Sequence, residues 1–179
     1  EIKETAIPGI FKTNPIPANL SKYYDSQDYI SHHQDSGSLK EKLYKFLQNF
    51  NLKYKQSILF DNVGKDKTVL DYGCGAGEFI KYIENNFETF GFEPNHSART
   101  NALKKIQKAK LITNLDVIKK ESLDAITLWH VFEHIENQDE MLQIFYSKLK
   151  QKGRLIIAVP NPTSYDALKY KEFWAAYDV

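Results

Sequence analysis

The sequence predicts an α/β fold, a doubly wound and mainly parallel sheet, on three observations. Short β-prone runs alternate with helix-periodic segments over short links, and parallel strands need crossover helices of that kind. One run ends in glycines that lead into a helix, the arrangement by which open sheets bring backbone close to a ligand. The 179 residues, 42% hydrophobic and 26% charged, suffice for one core, since a domain takes roughly 100–200 residues.

Residues 1–22 carry three prolines and a glycine with no sustained period, which predicts an extended arm or short strand. Residues 23–38, YYDSQDYISHHQDSGS, suit an ordered loop or short helix. From Leu39, the apolar positions Leu43, Phe46, Leu47, Phe50 and Leu52 recur at helical spacing and predict an amphipathic helix to about residue 60. Thr68–Tyr72 is a first core strand, followed by the loop Gly73–Cys74–Gly75–Ala76–Gly77 and a helix bearing Phe79, Ile80, Tyr82 and Ile83. Glu88–Glu93 is a second strand, Pro94–Asn95 opens a helix over 96–107, and Lys110–Thr113 is a third strand. Asp124–Trp129 is a fourth. A helix over 137–151 is predicted to end near Gly153, and Arg154–Val159 makes a fifth strand stopped by Pro160. This reading divides the chain into an N-terminal arm and helical cap (1–60), a core (61–162) and an aromatic C-terminal segment (163–179).

Composition excludes several classes. No run of about 18 apolar residues is present to cross a membrane. The single cysteine, Cys74, cannot form an internal disulfide and fits a reducing, cytoplasmic setting. Net charge is +1, and Arg99 and Arg154 are the sole arginines, a poor footprint for a nucleic-acid binder. Lysines 40, 42, 45, 53 and 55, and 104, 105, 108 and 110, read as solvated helix faces.

The glycine loop carries the strongest chemical signal. A phosphate-cradling loop needs a lysine and Ser/Thr after its last glycine, and none follows Gly77. Dinucleotide binding asks for G-x-G-x-x-G, but here the third glycine falls one residue early with Glu78 beside it. That carboxylate would repel a pyrophosphate at the helix start. A nicotinamide-dependent oxidoreductase is disfavoured on both counts. Asp71, two residues ahead of Gly73, suits a ligand carrying a positive amine. Glu93, twenty residues after Gly73, can accept hydrogen bonds from both hydroxyls of a ribose.

The run VLDYGCGAGEF with FGFEPN, and the later DAITLWHVFEHIEN and KGRLIIAVPNP, resemble the motifs of class I S-adenosylmethionine-dependent methyltransferases over roughly residues 66–162. YYDSQDYISHHQDSGS and the ending SYDALKYKEFWAAYDV look like one bacterial subgroup acting on small molecules. The resemblance implies a Rossmann-like fold and methyl transfer from S-adenosylmethionine, releasing S-adenosylhomocysteine, to a small-molecule acceptor. By position it implies that Asp71 and the backbone of Gly73 hold the methionine part, with Cys74 in the loop and Gly75 and Gly77 allowing close approach. It further implies that Glu93 binds the ribose, Pro94 and Asn95 flank the adenine, and Asn114 and Leu115 meet its edge, with Asp116 the competing candidate. Trp129 and His130 would stand near the cofactor. A non-catalytic cofactor-binding or partner-binding module on the same scaffold is the alternative.

His130, Glu133 and His134 follow the fourth strand, and a helical turn would put them on one face. They can cap and orient the neighbouring helix, or one histidine can act as a general base near neutral pH. They are also suitable ligand types for a divalent metal, and the segment is similar to the E-x-x-E-H stretch by which ubiquinone-pathway O-methyltransferases hold one, with His130 in place of the first Glu. The expectation here is no metal. Tyr24, Tyr29 and His32, and Tyr165 and Trp174, are candidates for a lid or an acceptor-pocket wall. The resembled fold carries two further strands as an antiparallel edge. With nineteen residues after Pro160 and a start at Glu1, the expectation is a fragment holding the cofactor half, the acceptor half missing or partly supplied by residues 1–22.

Overall fold

The structure, a computed structural model, describes residues 2–13, 39–174 and 176. The chain divides into two compact units, Asp35–Val159 and Glu1–Gln34 with Pro160–Val179.

The larger unit holds the sheet. Helix α1 (Leu39–Val63) precedes β3 (Thr68–Tyr72), α2 (Glu78–Ile83), β4 (Glu88–Phe92), α3 (His96–Lys105), β5 (Lys110–Ile112), β6 (Leu123–Trp129), α4 (Gln138–Lys148) and β7 (Leu149–Ala158). The strand order is β5-β4-β3-β6-β7, every pairing parallel. The order reverses beside β3, so the crevice at its carboxyl end is the topological switch point of a doubly wound sheet.

Alternation along the strands sorts side chains between two cores. Leu70, Ile126 and Leu128 pack with Phe145 of α4 on one face. Val69 and Ala125 pack with Leu59 of α1 and with Phe79 and Ile83 of α2 on the other. Each fully buried Leu, Ile or Phe stabilises the fold by about 1.5–3 kcal/mol relative to exposure. The same period of two carries Asp71, Thr127 and Trp129 onto the α1/α2 face at the strands' carboxyl ends.

Two sequence expectations are corrected. The helix expected over 137–151 stops at Lys148, because Leu149 turns to extended backbone and pairs with Leu123. Gly153 therefore lies inside β7 and caps no helix. Register jumps from Leu123↔Leu149 to Ala125↔Arg154, a bulge in which Lys152 takes φ +68°. A Cβ on Gly153 would stand 3.0 Å from Leu149 Cδ2 and from the Lys150 carbonyl. The second correction concerns α1, where Leu43, Phe46, Leu47 and Phe50 remain exposed. Leu52 packs against the core and Leu59 is fully buried in it.

A carboxylate ties the far side together. Glu84 Oε2 accepts from the backbone N–H groups of Gln107, Lys108 and Ala109 at 2.8–2.9 Å, and Lys81 Nζ lies 2.7 Å from Oε1. Burial alone would raise its carboxyl. The Lys81 ammonium and the three N–H groups outweigh it and hold the group down at about 2.

In the smaller unit, β1 (Ile2–Glu4) and β2 (Phe11–Thr13) pair antiparallel in a sheet of their own, so the described part of the segment expected as an extended arm or short strand is two short strands. In the same unit α5 (Tyr165–Tyr170) is capped by Ser164, whose hydroxyl accepts from the Ala167 N–H at 3.2 Å. Tyr24, Tyr29 and His32 lie outside the described residues. No helix among the described residues is long and apolar enough to cross a membrane.

Candidate functional site

Gly73, Gly75 and Gly77 all adopt positive φ, +76°, +54° and +81°, a region side chains disfavour by roughly 1–2 kcal/mol. Their surroundings differ. A Cβ on Gly73 would meet Val131 Cγ2 at 2.4 Å, and one on Gly77 would meet Ala102 Cβ at 2.7 Å. Gly77 thus lets α2 approach α3. Gly75 has nothing within 4 Å and faces open space. The loop is pinned by Gly73 and Cys74, whose N–H groups donate to the Phe92 carbonyl at 2.8 and 3.0 Å. The Cys74 thiol is buried, and desolvation with the Asp71 and Glu93 carboxylates pushes its pKa up, so it is inert as a nucleophile.

Glu93 closes the loop from the end of β4. Its Oε2 accepts from the Gly75 N–H and its Oε1 from the Asn95 N–H, both at 2.8 Å. Asn95 caps α3 by accepting from the Ala98 N–H at 2.9 Å, and Arg99 Nη1 donates to the Glu93 carbonyl at 2.7 Å. Pro94 is exposed beside them. The acidic residue expected to read a ribose is therefore held rigidly, with its carboxylate fixed by two backbone donors.

Asp71 is buried, and Thr127 Oγ1 donates to its Oδ1 at 2.6 Å. Burial pushes its carboxyl up to about 7. The Thr127 hydrogen bond and the Lys55 ammonium oppose that rise, and Glu93 adds to it.

Lys55 was not foreseen. The sequence reading placed it on a solvated helix face, yet α1 carries it into a cleft of about 510 Å³ lined also by Asp71, Gly73, Cys74, Gly75, Phe79 and Trp129. Its Nζ lies 5.0 Å from the Trp129 ring centroid and 5.8 Å from that of Phe79. Desolvation lowers its pKa, against the pull of Asp71. No local signal separates Lys55 from its neighbours on α1, because its burial depends on how the helix crosses the sheet. Two other lysines read as solvated are paired across elements, Lys105 with Glu78 and Lys110 with Glu88.

The remaining candidates are dispersed. Asn114 is exposed and starts a short 3-10 turn, Leu115–Val117, its side chain accepting from the Asp116 N–H at 2.9 Å. Leu115 packs against the core. Trp129 ends β6 with its ring edge-on to Phe79 and its Nε1 buried and unpartnered among the described residues. His130 is exposed at φ +58°, and its backbone N–H donates to the Ala158 carbonyl at 2.9 Å. The helical turn expected after it is the single 3-10 turn Phe132–His134. His130 Nδ1 lies 3.8 Å from Glu133 Oε1, while Glu133 Oε2 is buried without a partner among the described residues. His134 joins neither the lining of the cleft nor any metal-holding group: among the described residues no cluster of three His, Cys, Asp or Glu stands close enough to hold an ion. Tyr165 is exposed on α5, with Lys169 Nζ 5.5 Å from its ring, and Trp174 is half-buried in the same smaller unit.

A family model described as a methyltransferase domain matches residues 39–178. Among curated proteins none matches the chain. Similar solved structures include an S-adenosylmethionine-dependent methyltransferase from Archaeoglobus fulgidus, at 25% identity and TM-score 0.56, covering 72% of this chain and 63% of that one. Another, from Thermotoga maritima, has 23% identity and TM-score 0.51, with 60% and 51% covered. The YcgJ protein from Bacillus subtilis has 18% identity and TM-score 0.51, with 59% and 50% covered. The chain thus spans from half to under two thirds of the length of these structures. The family match extends over the glycine loop, Asp71 and Glu93 together with most of the remaining chain, which makes this protein a member of the methyltransferase domain family, built on the class I S-adenosylmethionine-dependent fold.

Proposed function

We propose that the protein transfers a methyl group from S-adenosylmethionine to a small-molecule acceptor. The observation that carries this reading is the pair of carboxylates at the ends of adjacent strands, Asp71 and Glu93, on either side of the Gly73–Gly77 loop. They fit the cofactor's two polar ends. Asp71 would take the amino group of the methionine part, with the backbone of Gly73 beside it. Glu93 would take the ribose hydroxyls, and Gly75, open above the loop, admits the ligand's approach. Pro94 and Asn95 would flank the adenine, with Asn114 and Leu115 at its edge.

The cofactor supplies a methyl group already activated on a sulfonium. The protein's contribution is then to hold acceptor and cofactor in line and to keep water out, and proximity of that kind can lower a barrier by about 7–11 kcal/mol. Phe79 and Trp129 give the cleft its apolar wall. His130, with Glu133 at 3.8 Å, is the candidate base for an acceptor that must lose a proton. A histidine held at φ +58° is the kind of strained residue that clusters at functional sites.

A second reading, a binding module without turnover, is favoured by one observation: His130, Glu133 and His134 do not line the cleft. Calorimetry separates these readings from a nicotinamide enzyme. S-adenosylmethionine should bind and NADH should not; the reverse would sink the assignment. Methylation of any acceptor by the wild-type chain would support the enzyme over the module, and loss of that turnover in His130→Ala with unchanged cofactor affinity would support His130 as the base.

A further inference from the structure

We propose that the free face of α1 docks a second copy of this chain, the two α1 helices pairing antiparallel about a two-fold axis. The helix is apolar on two sides. Leu59 is buried in the core and Leu52 packs against it. Away from them, Leu43, Leu47, Phe50 and Tyr54 stay 59%, 55%, 69% and 61% exposed. Their spacing of four, three and four residues is that of heptad positions d, a, d and a, the seam of a coiled coil. Leu52 and Leu59 fall at position f of the same heptads, opposite the seam. A surface helix needs one apolar stripe to join its core, so the second stripe calls for a second partner.

The patch is large enough for an interface. Tyr44 and Phe46 flank the seam, and at roughly 150–250 Å² for a whole aromatic side chain the six exposed groups present on the order of 700 Å². The largest patch on a monomer is typically about 300–600 Å², whereas a stable interface buries about 800 Å² from each partner. A closed dimer joins one patch to itself. With the axis between Gln48 and Asn49, Leu43 faces Tyr54 and Leu47 faces Phe50 of the other copy. Every layer then sets a small side chain against a ring. A parallel pairing would stack ring on ring and leucine on leucine, in layers of unequal width.

The charges fit the same arrangement. No acidic residue lies between Lys42 and Phe60, so the lysines must keep clear of one another. Lys42 and Lys45 occupy the outer positions c and f. Lys53 flanks the seam at g, beside Phe46 of the other copy, where an ammonium can meet a ring face. The two Lys53 residues stand about 13 Å apart along the paired axes, beyond the screening length of about 10 Å at 0.1 M salt. A lipid surface fits less well. Helices that lie on membranes carry cations across the face opposite the apolar one, and here that face is packed into the core.

Sedimentation equilibrium of the whole chain is the test. Wild type should pass from monomer to dimer between about 1 and 100 μM. Phe50→Glu and Leu43→Glu, both outside the lining of the cleft, should each weaken the dimer by about tenfold or more. Thermal melts should show the fold retained, since glutamate is a good helix former at an exposed site. Disulfide trapping reads the orientation, and the buried Cys74 stays out of it. Mixed Leu43→Cys and Tyr54→Cys chains should cross-link to each other, and neither should link to its own kind. The two Leu43 positions lie about 16 Å apart in the antiparallel pair, while a disulfide spans about 4–7 Å between Cα atoms. Self-linking of either chain would overturn the antiparallel geometry. Wild type that stays monomeric throughout overturns the proposal, as does a dimer unmoved by both glutamates. A monomer that instead co-sediments with vesicles of phosphatidylcholine and phosphatidylglycerol also overturns it, and assigns the stripe to a lipid surface.

Discussion

Thr127 stands directly opposite Asp71 in the parallel pairing of β3 with β6, and its hydroxyl donates a 2.6 Å hydrogen bond to Asp71 Oδ1. Two adjacent strands thus aim one buried carboxylate from a fixed direction. A charge that burial disfavours is kept in place by a single hydroxyl and the field of Lys55. That is the arrangement of a group built to meet a cation.

Asp71→Asn separates binding from stability. The folded-state pKa of Asp71 is raised from 3.8 to about 7, so the folded chain holds this proton more tightly than the unfolded one. Its contribution to stability is fully present below about pH 3.8 and is lost as pH rises through about 7. Asparagine keeps an oxygen for Thr127 and carries no charge. The variant should therefore be more stable than wild type at pH 8, by on the order of 1–4 kcal/mol, with little difference at pH 4, while losing cofactor affinity. Melting curves at the two pH values check it.

Cofactor affinity should follow the same titration. An ionised Asp71 attracts the amino group and a protonated one does not. Binding of S-adenosylhomocysteine to wild type should weaken from pH 8 to pH 6, and this slope should vanish in Asp71→Asn. A pH-independent affinity in wild type would contradict the role given to Asp71.

The glycines should rank by what surrounds them. Gly73→Ala meets both a left-handed backbone and Val131 Cγ2 at 2.4 Å, whereas Gly75→Ala meets the backbone penalty alone. Gly75→Ala should destabilise by about 1–2 kcal/mol and Gly73→Ala by more. Adding Val131→Ala should recover part of the Gly73→Ala loss and none of the Gly75→Ala loss. Denaturant unfolding of the singles and doubles measures the coupling.

Glu84→Ala should destabilise without touching the cleft. It strands three backbone N–H groups and Lys81, a loss on the order of 3 kcal/mol. Because the folded pKa is lowered from 4.5 to about 2, this contribution is present above pH 4.5 and is lost as pH falls toward about 2. Acid unfolding of wild type should show the component, and the variant should lack it.

What was legible in the sequence was what neighbours decide. Thr68–Tyr72 running into Gly73–Gly77, and Glu93 at the end of the next strand, are set by alternation and by glycine's freedom at positive φ, both local properties. The motifs that carry the resemblance fall on those same positions. Lys55 was missed because a lysine on a helix face reads the same whether the helix turns it to water or into a crevice. Its partners Phe79, Asp71 and Trp129 come from three other elements. Gly153 misled for a different reason: a glycine after a helical period is a common stop signal, and the pairing of Leu149 with Leu123 overrode it. The bracket around Glu84 spans more than twenty residues and leaves no short-range trace.

On the proposed function, the cleft between α1 and the glycine loop receives S-adenosylmethionine in one orientation. A crystal structure of the chain with S-adenosylhomocysteine tests it most directly. Ribose hydroxyls are expected on Glu93 and the amino group on Asp71. Density for the ligand elsewhere, or reversed so that the adenine meets Asp71, would contradict it.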